Sequence, residues 1–313
     1  MRQILLFPWG LKERQDLATQ RDFIGYGRNV PQIEWPNGAR IAVSLVVNYE
    51  EGSEYSLLDG DDHHESNNEV PSPIPAGQRD LYNESFFEYG SRVGVWRLLD
   101  MFDRHEVKST FYCCAHALER NPELAREITA RGHEPCGHCY RWSEVHHMSR
   151  EEEAADMRKA VASIEATTGE RPLGWFTRYG PSVNTRELAV AEGGFIYDSL
   201  ATNDDLPYYV SVADRPWLVI PYSFETNDAR FWRGGLVSTG DFFEYLKDSF
   251  DCLYREGASH PKMMSVGLHC RITGRPSRSQ AVERFIEYAR GFEGVWFARR
   301  IDIARWWLEK YPA

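Results

Sequence analysis

Several things this chain lacks narrow its identity before any motif is considered. No apolar run approaches the ~20 residues that span a bilayer, and the apolar patch at residues 4 to 7 is too short for a signal-peptide core of at least ~7 residues. The chain therefore reads as cytoplasmic. Positive charge is in deficit. Thirty-six Lys and Arg face 47 Asp and Glu, a formal charge of −11, which argues by repulsion against nucleic acid and anionic membrane as partners and leaves small neutral or cationic substrates open. Cysteine is too sparse for a disulfide framework. Six are spread over 313 residues, two of them adjacent at Cys113 and Cys114, and they read as buried small hydrophobes in a reducing compartment. No Gly-rich dinucleotide-binding turn follows any strand pattern, which argues against an open nucleotide-binding sheet.

What the chain has in excess is aromatic: 13% Phe, Trp and Tyr with ten tryptophans, too many rings to leave in solvent. They must fill a core, line a pocket or form a subunit interface. The β-branched run over residues 41 to 47 reads as a strand buried on both faces, and it ends abruptly on Asn48-Tyr49-Glu50-Glu51-Gly52. Neighbouring side chains on an extended chain point to opposite sides, so one of the two carboxylates can face a pocket while the other turns away. Residues 1 to 40, rich in Pro and Gly, read as an N-terminal arm of the kind that lies against a partner subunit. Residues 53 to 85, rich in Asp, His, Asn and Pro, read as a long loop able to cover the pocket mouth.

From residue 88 onward helix and strand patterns alternate. Asn121-Pro122-Glu123 starts a helix, and Ser149-Arg150-Glu151-Glu152 spells a capping box. Seven or eight parallel strands alternating with helices predict an α/β protein with a distorted (β/α) barrel, residues 41 to 313 forming one catalytic domain. Four strand exits carry polar sets: the Glu50 and Glu51 pair, His138-Cys139-Tyr140-Arg141-Trp142, Thr177-Arg178-Tyr179-Gly180-Pro181, and Leu268-His269-Cys270-Arg271. In a barrel these meet at one face. A carboxylate, an imidazole, an arginine and aromatic walls are what amide hydrolysis needs: a base for water, an acid for the leaving nitrogen and a cation for the oxyanion. Cys136-Gly137-His138-Cys139 also spells a dithiol motif, but it continues into an extended segment instead of opening a helix, so redox chemistry is not expected.

The order and spacing of these sets resemble the polysaccharide deacetylase (NodB homology) superfamily over about residues 40 to 300. They are most similar to its metal-independent allantoinase and cyclic-amide hydrolase branch. The resemblance implies a (β/α) barrel and hydrolysis of a non-peptide C–N bond in an allantoin-like ring. It implies Glu50, His269 and Arg178 as the catalytic residues (base, acid and oxyanion holder), and Glu51, His138, Trp142, Tyr179 and Trp175 as substrate-binding. It also implies a homo-oligomer such as a tetramer. Where the superfamily places a second metal-binding histidine this chain has Trp142, which cannot ligate, and where it places an aspartate the chain has Glu51. The expectation is no cofactor. If Zn binds, Glu51 and His138 would hold it, with His146 or His147 completing the set. The alternatives are a metal-dependent polysaccharide or N-acyl deacetylase and a non-catalytic ligand-binding barrel.

Overall fold

A computed structural model describes residues 21 to 313 apart from Ala76 and Arg233; the expected arm thus falls partly outside the described residues. In chain order the strands are β1 (Ile41–Tyr49), β2 (Thr110–Cys113), β3 (Glu134–Gly137), β4 (Gly174–Trp175), β5 (Tyr197–Asp198), β6 (Tyr208–Val212), β7 (Arg215–Val219), β8 (Lys262–His269) and β9 (Val295–Phe297). The helices are α1 (Leu81–Tyr89), α2 (Val95–Arg104), α3 (Ala115–Arg120), α4 (Pro122–Ala130), α5 (Arg150–Thr168), α6 (Thr185–Glu192), α7 (Thr239–Glu256), α8 (Pro276–Arg290) and α9 (Arg300–Lys310).

All nine residues of β1 are buried, as the unbroken apolar run requires of a strand covered on both faces. The sheet runs β6-β7-β5-β4-β3-β2-β1-β8, with β9 also on β1. Every pairing is parallel except β6 with β7. The sheet curls into a half-barrel with helices around it, the α/β barrel architecture expected. A parallel bridge from Asn227 to Gly267 brings the segment after β7 against β8.

The capping box at Ser149 opens α5, and Asn121 accepts from the Leu124 amide at the start of α4. Where the alternating helix and strand patterns begin, the structure has a π-helical turn, Gly90–Gly94, between α1 and α2. Tertiary contact imposes that turn. A Cβ on Gly90 would stand 2.5 Å from Glu51 Oε1, and one on Gly94 would strike the Cys270 carbonyl, so only glycine lets this backbone lie over the ends of β1 and β8. Within the expected arm, Trp35 is buried with its ring 5.7 Å from Trp296 and 5.8 Å from Trp307.

Register decides which side chains meet. Asn48 lies opposite His269, Tyr49 opposite Cys113, and Cys113 opposite Gly137. Glu50 and His138, one residue past these ends, therefore leave the sheet side by side next to His269.

Candidate active site

At the carboxyl ends of β1, β3 and β8, three groups converge on one carboxylate. Glu50 Oε1 lies 3.3 Å from His138 Nε2 and 3.5 Å from His269 Nε2, while Arg271 Nη2 stands 2.7 Å from Glu50 Oε2. Glu50 is 2% exposed and His269 6%. Burial alone would raise the Glu50 pKa, but Arg271, His269 and the hydrogen bonds from both imidazoles outweigh it and hold the carboxyl well below its usual range.

His269 is gripped from behind. Its Nδ1 lies 2.6 Å from Asp228 Oδ1, and its backbone amide donates to Asp228 Oδ2 at 2.7 Å. Thr273 Oγ1 donates to Asp228 Oδ2 as well, at 2.5 Å. Burial would lower the imidazole pKa; the charges of Glu50 and Asp228 reverse this and raise it to about 9. With Nδ1 held by Asp228, Nε2 is the atom that faces Glu50.

Glu51, expected on the substrate, turns away from Glu50. Its Oε1 accepts from the Arg271 amide at 2.9 Å, its Oε2 accepts from the Glu50 amide at 3.2 Å, and it packs under Gly90. Burial pushes its pKa up, Arg271 pulls the other way, and the charge of Glu50 adds to the rise. It braces Arg271 and the Glu50 backbone.

The aromatic walls come from several strands. The rings of Tyr112 and Phe176 stack at 4.5 Å, His138 lies 5.1 Å from Phe176, and Trp232 lies 5.3 Å from His269. The Trp142 ring meets two guanidinium groups, Arg178 at 3.8 Å and Arg271 at 4.9 Å. Trp175 does not join this wall, contrary to expectation. Side chains alternate across a strand, so Phe176 takes the His138 side while Trp175 packs against Phe195 at 5.2 Å. Tyr179 is about half exposed, 6.2 Å from Trp142, with a left-handed backbone (φ 56°) that swings the chain out of the barrel at the Arg178 exit.

Arg178 is buried against a carboxylate. Glu65 Oε2, from the long loop, lies 2.6 Å from Arg178 Nη1, which also donates to the Trp142 carbonyl at 2.8 Å. The loop is strapped down by three more acids: Asp59 to Arg120, Asp61 to Arg141 at 2.7 and 2.9 Å, and Glu69 to Arg278 at 2.6 and 2.9 Å.

Asp228 and the role of Arg271 escaped the sequence reading. Asp228 sits in a short 3-10 turn 41 positions before His269, and nothing local marks it. Arg271 stood in the quoted Leu268-His269-Cys270-Arg271 set, but its full burial against two carboxylates is a tertiary fact that this local pattern does not carry.

The donors do not suit a metal at the family's position. Trp142 has no ligating atom, Glu51 points at the Arg271 amide, and a guanidinium already sits against both glutamates. Among the described residues, the one group of three ligating side chains with atoms within 4.8 Å of one another is Glu144, His146 and His147. His146 and His147 therefore close with Glu144 and not with Glu51 and His138. Cys136 and Cys139 are buried, and burial pushes both thiols well above the usual range, against the thiolate that redox chemistry needs. A cavity of about 630 Å³ opens elsewhere, among Phe86 of α1, Phe231, Arg275 and the starts of α7 and α8.

Residues 84–195 match the family model for polysaccharide deacetylase. A Schizosaccharomyces pombe protein carrying the name of a polysaccharide deacetylase is 38% identical over 93% of this chain and 98% of its own length. The crystal structure of a probable polysaccharide deacetylase from Pseudomonas aeruginosa is 49% identical, covering 94% of this chain and 99% of that one with a TM-score of 0.89. The crystal structure of PuuE allantoinase is 47% identical, covering 94% and 98%, also with a TM-score of 0.89. Among the described residues, no helix is long and apolar enough to cross a membrane. On identity sustained over nearly the full length of these relatives, the chain belongs to the polysaccharide deacetylase family and is a hydrolase of carbon–nitrogen bonds other than peptide bonds.

Proposed function

We propose that this hydrolase opens a cyclic amide or ureide ring of the allantoin type, without a metal. Glu50 acts as base on water and His269 as acid toward the leaving nitrogen. The observation that carries the reading is Glu50 Oε1 standing between His138 Nε2 and His269 Nε2, with His269 clamped by Asp228. An imidazole with a pKa raised to about 9 is protonated at neutral pH and has a proton to give. The 47% identity to an allantoinase supports the same choice.

The charges refine the substrate class. Arg271 and the imidazoles keep Glu50 ionised but weaken it as a base. A weak base suits an activated carbonyl, one flanked by a second acyl or ureido nitrogen, better than the plain acetamide of an N-acetyl sugar. Water attacks that carbonyl as Glu50 takes its proton. The negative charge on oxygen is assigned to Arg178, the C–N bond breaks, and the nitrogen leaves with the proton of His269. Phe176 and His138 are assigned to a planar ring, Trp142 carries the Arg178 and Arg271 guanidinium groups over its indole, and Tyr179 stands at the rim. Each acid or base step contributes about 10²- to 10⁴-fold.

The second reading is a metal-dependent N-deacetylase; the names that two of the relatives carry favour deacetylation and say nothing of a metal. The experiment is to offer purified protein allantoin, a succinimide-type cyclic imide and an N-acetylglucosamine oligomer, before and after exhaustive chelation. Ring opening that survives chelation is the expected result. Ring opening lost on chelation and restored by Zn²⁺ would overturn the metal-free part, and release of acetate alone would favour the deacetylase.

A further inference from the structure

The four straps on the long loop are not equivalent. Asp61 on Arg141 and Glu69 on Arg278 are two-point forks, each oxygen taking its own N–H, the strong geometry for a carboxylate and a guanidinium. Glu65 and Arg178 form no aligned fork of this kind. Glu65 Oε2 approaches Arg178 Nη1 at 2.6 Å without hydrogen-bond alignment, while that nitrogen already donates to the Trp142 carbonyl. Arg178 Nε, buried, has no hydrogen-bond partner, and neither does Glu65 Oε2. A buried guanidinium that keeps one N–H without an acceptor, beside a carboxylate that forms no fork with it, leaves room for an anion that takes both.

The reaction proposed above makes such an anion. Water adds to the ring carbonyl, the C–N bond breaks, His269 supplies the nitrogen's proton, and the new carboxylic acid loses a proton at neutral pH to become a carboxylate. The oxygen that carried the oxyanion is then one of the two carboxylate oxygens. We propose that Arg178 is a carboxylate-binding site which Glu65 fills in the resting protein and which the carboxylate of the ring-opened product takes over, displacing Glu65 and releasing the inner strap of the loop. Glu65 thereby competes with product and favours its departure when it swings back. The inference rests on the ring-opening reading for the identity of the ligand, though the anion site is tested without turnover.

N-Carbamoylglycine, a small ureido carboxylate, is titrated calorimetrically into wild type, Glu65→Gln, Glu65→Ala, Glu69→Gln and Arg178→Met. If Glu65 holds the site about nine-tenths of the time, its removal tightens binding about tenfold. Both Glu65 variants are expected to show this gain, so one suffices should the other fail to fold. Arg178→Met is expected to lose binding. Glu69→Gln loosens the same loop without freeing Arg178 and should leave affinity unchanged. Unchanged affinity in the Glu65 variants, an equal gain in Glu69→Gln, or no detectable binding in any form would overturn the proposal. Tenfold tightening in a protein that opens no ring would keep the anion site and remove the ring reading. Ring opening with no tightening would do the reverse.

Discussion

Two buried polar clusters lie inside this barrel, and they are finished to different degrees. Around Arg300 every nitrogen is spent: Nε donates to Ser199 Oγ at 2.8 Å, Nη1 to Ser265 Oγ at 2.7 Å, and Nη2 to the Ile220 and Pro221 carbonyls. Beside it Glu134 accepts from Thr110 Oγ1, Tyr197 OH and the Ile301 amide. Around Glu50 the opposite holds. His138 Nδ1 and Arg271 Nε lack a hydrogen-bond partner, and Glu50 Oε2 faces Arg271 Nη2 at 2.7 Å as an ion pair without an aligned hydrogen bond. Tyr222 touches both regions, its ring 5.9 Å from Arg300 and its hydroxyl accepting from Asn48 beside the site. A satisfied network holds strands in place; an unsatisfied one costs stability and is kept where something else must complete it.

The contrast can be broken from either side. The largest stability effect is expected at the finished cluster. Arg300→Met should cost at least about 3 kcal/mol, because it leaves several buried acceptors without a donor. Thermal melts check this, and the folded fraction should turn over substrate normally.

Asp228→Asn removes a charge that helps hold the His269 proton, and it acts on pH dependence more than on folding. Activity that needs protonated His269 should fall as pH rises through about 9 in wild type, and the variant should move that limb down toward the ordinary histidine value of about 6.5. A kcat/KM profile from pH 6 to 10 reads both. The same shift predicts stability. A folded pKa raised above the unfolded one gives a contribution fully present below about 6.5 and lost as pH climbs through about 9. Glu50 has the reverse sign, its contribution present above about 4.3 and lost as pH falls through its lowered folded value.

The smallest effect belongs to the dithiol sequence. Cys136→Ser with Cys139→Ser should leave ring opening unchanged, as measured by kcat in reducing and oxidising buffer, since both thiols are buried and protonated.

Much of this was legible in the sequence, and the misses share a cause. The run into Glu50 declared both the strand and its exit, and the caps at Asn121 and Ser149 marked helix starts, because those signals are local. The π turn over Glu51, the Asp228 clamp on His269 and the Glu65 contact on Arg178 depend on residues distant in the chain, and no local pattern encodes them. Strand parity misled at Trp175 because β4 has two residues, too few to show an alternation. β6 escaped because it is a short hairpin strand that breaks the parallel rule read from the rest of the chain.

The central claim is that the unfinished cluster performs the chemistry while the finished one only supports it. The most direct test compares allantoin ring opening by wild type, Glu50→Gln and Glu134→Gln, each shown to be folded by circular dichroism. Glu50→Gln is expected to lose about 10²- to 10⁴-fold in kcat, and Glu134→Gln to show a lower melting temperature with kcat intact. Near-normal turnover by Glu50→Gln, or an equal loss of kcat in folded Glu134→Gln, would contradict the claim.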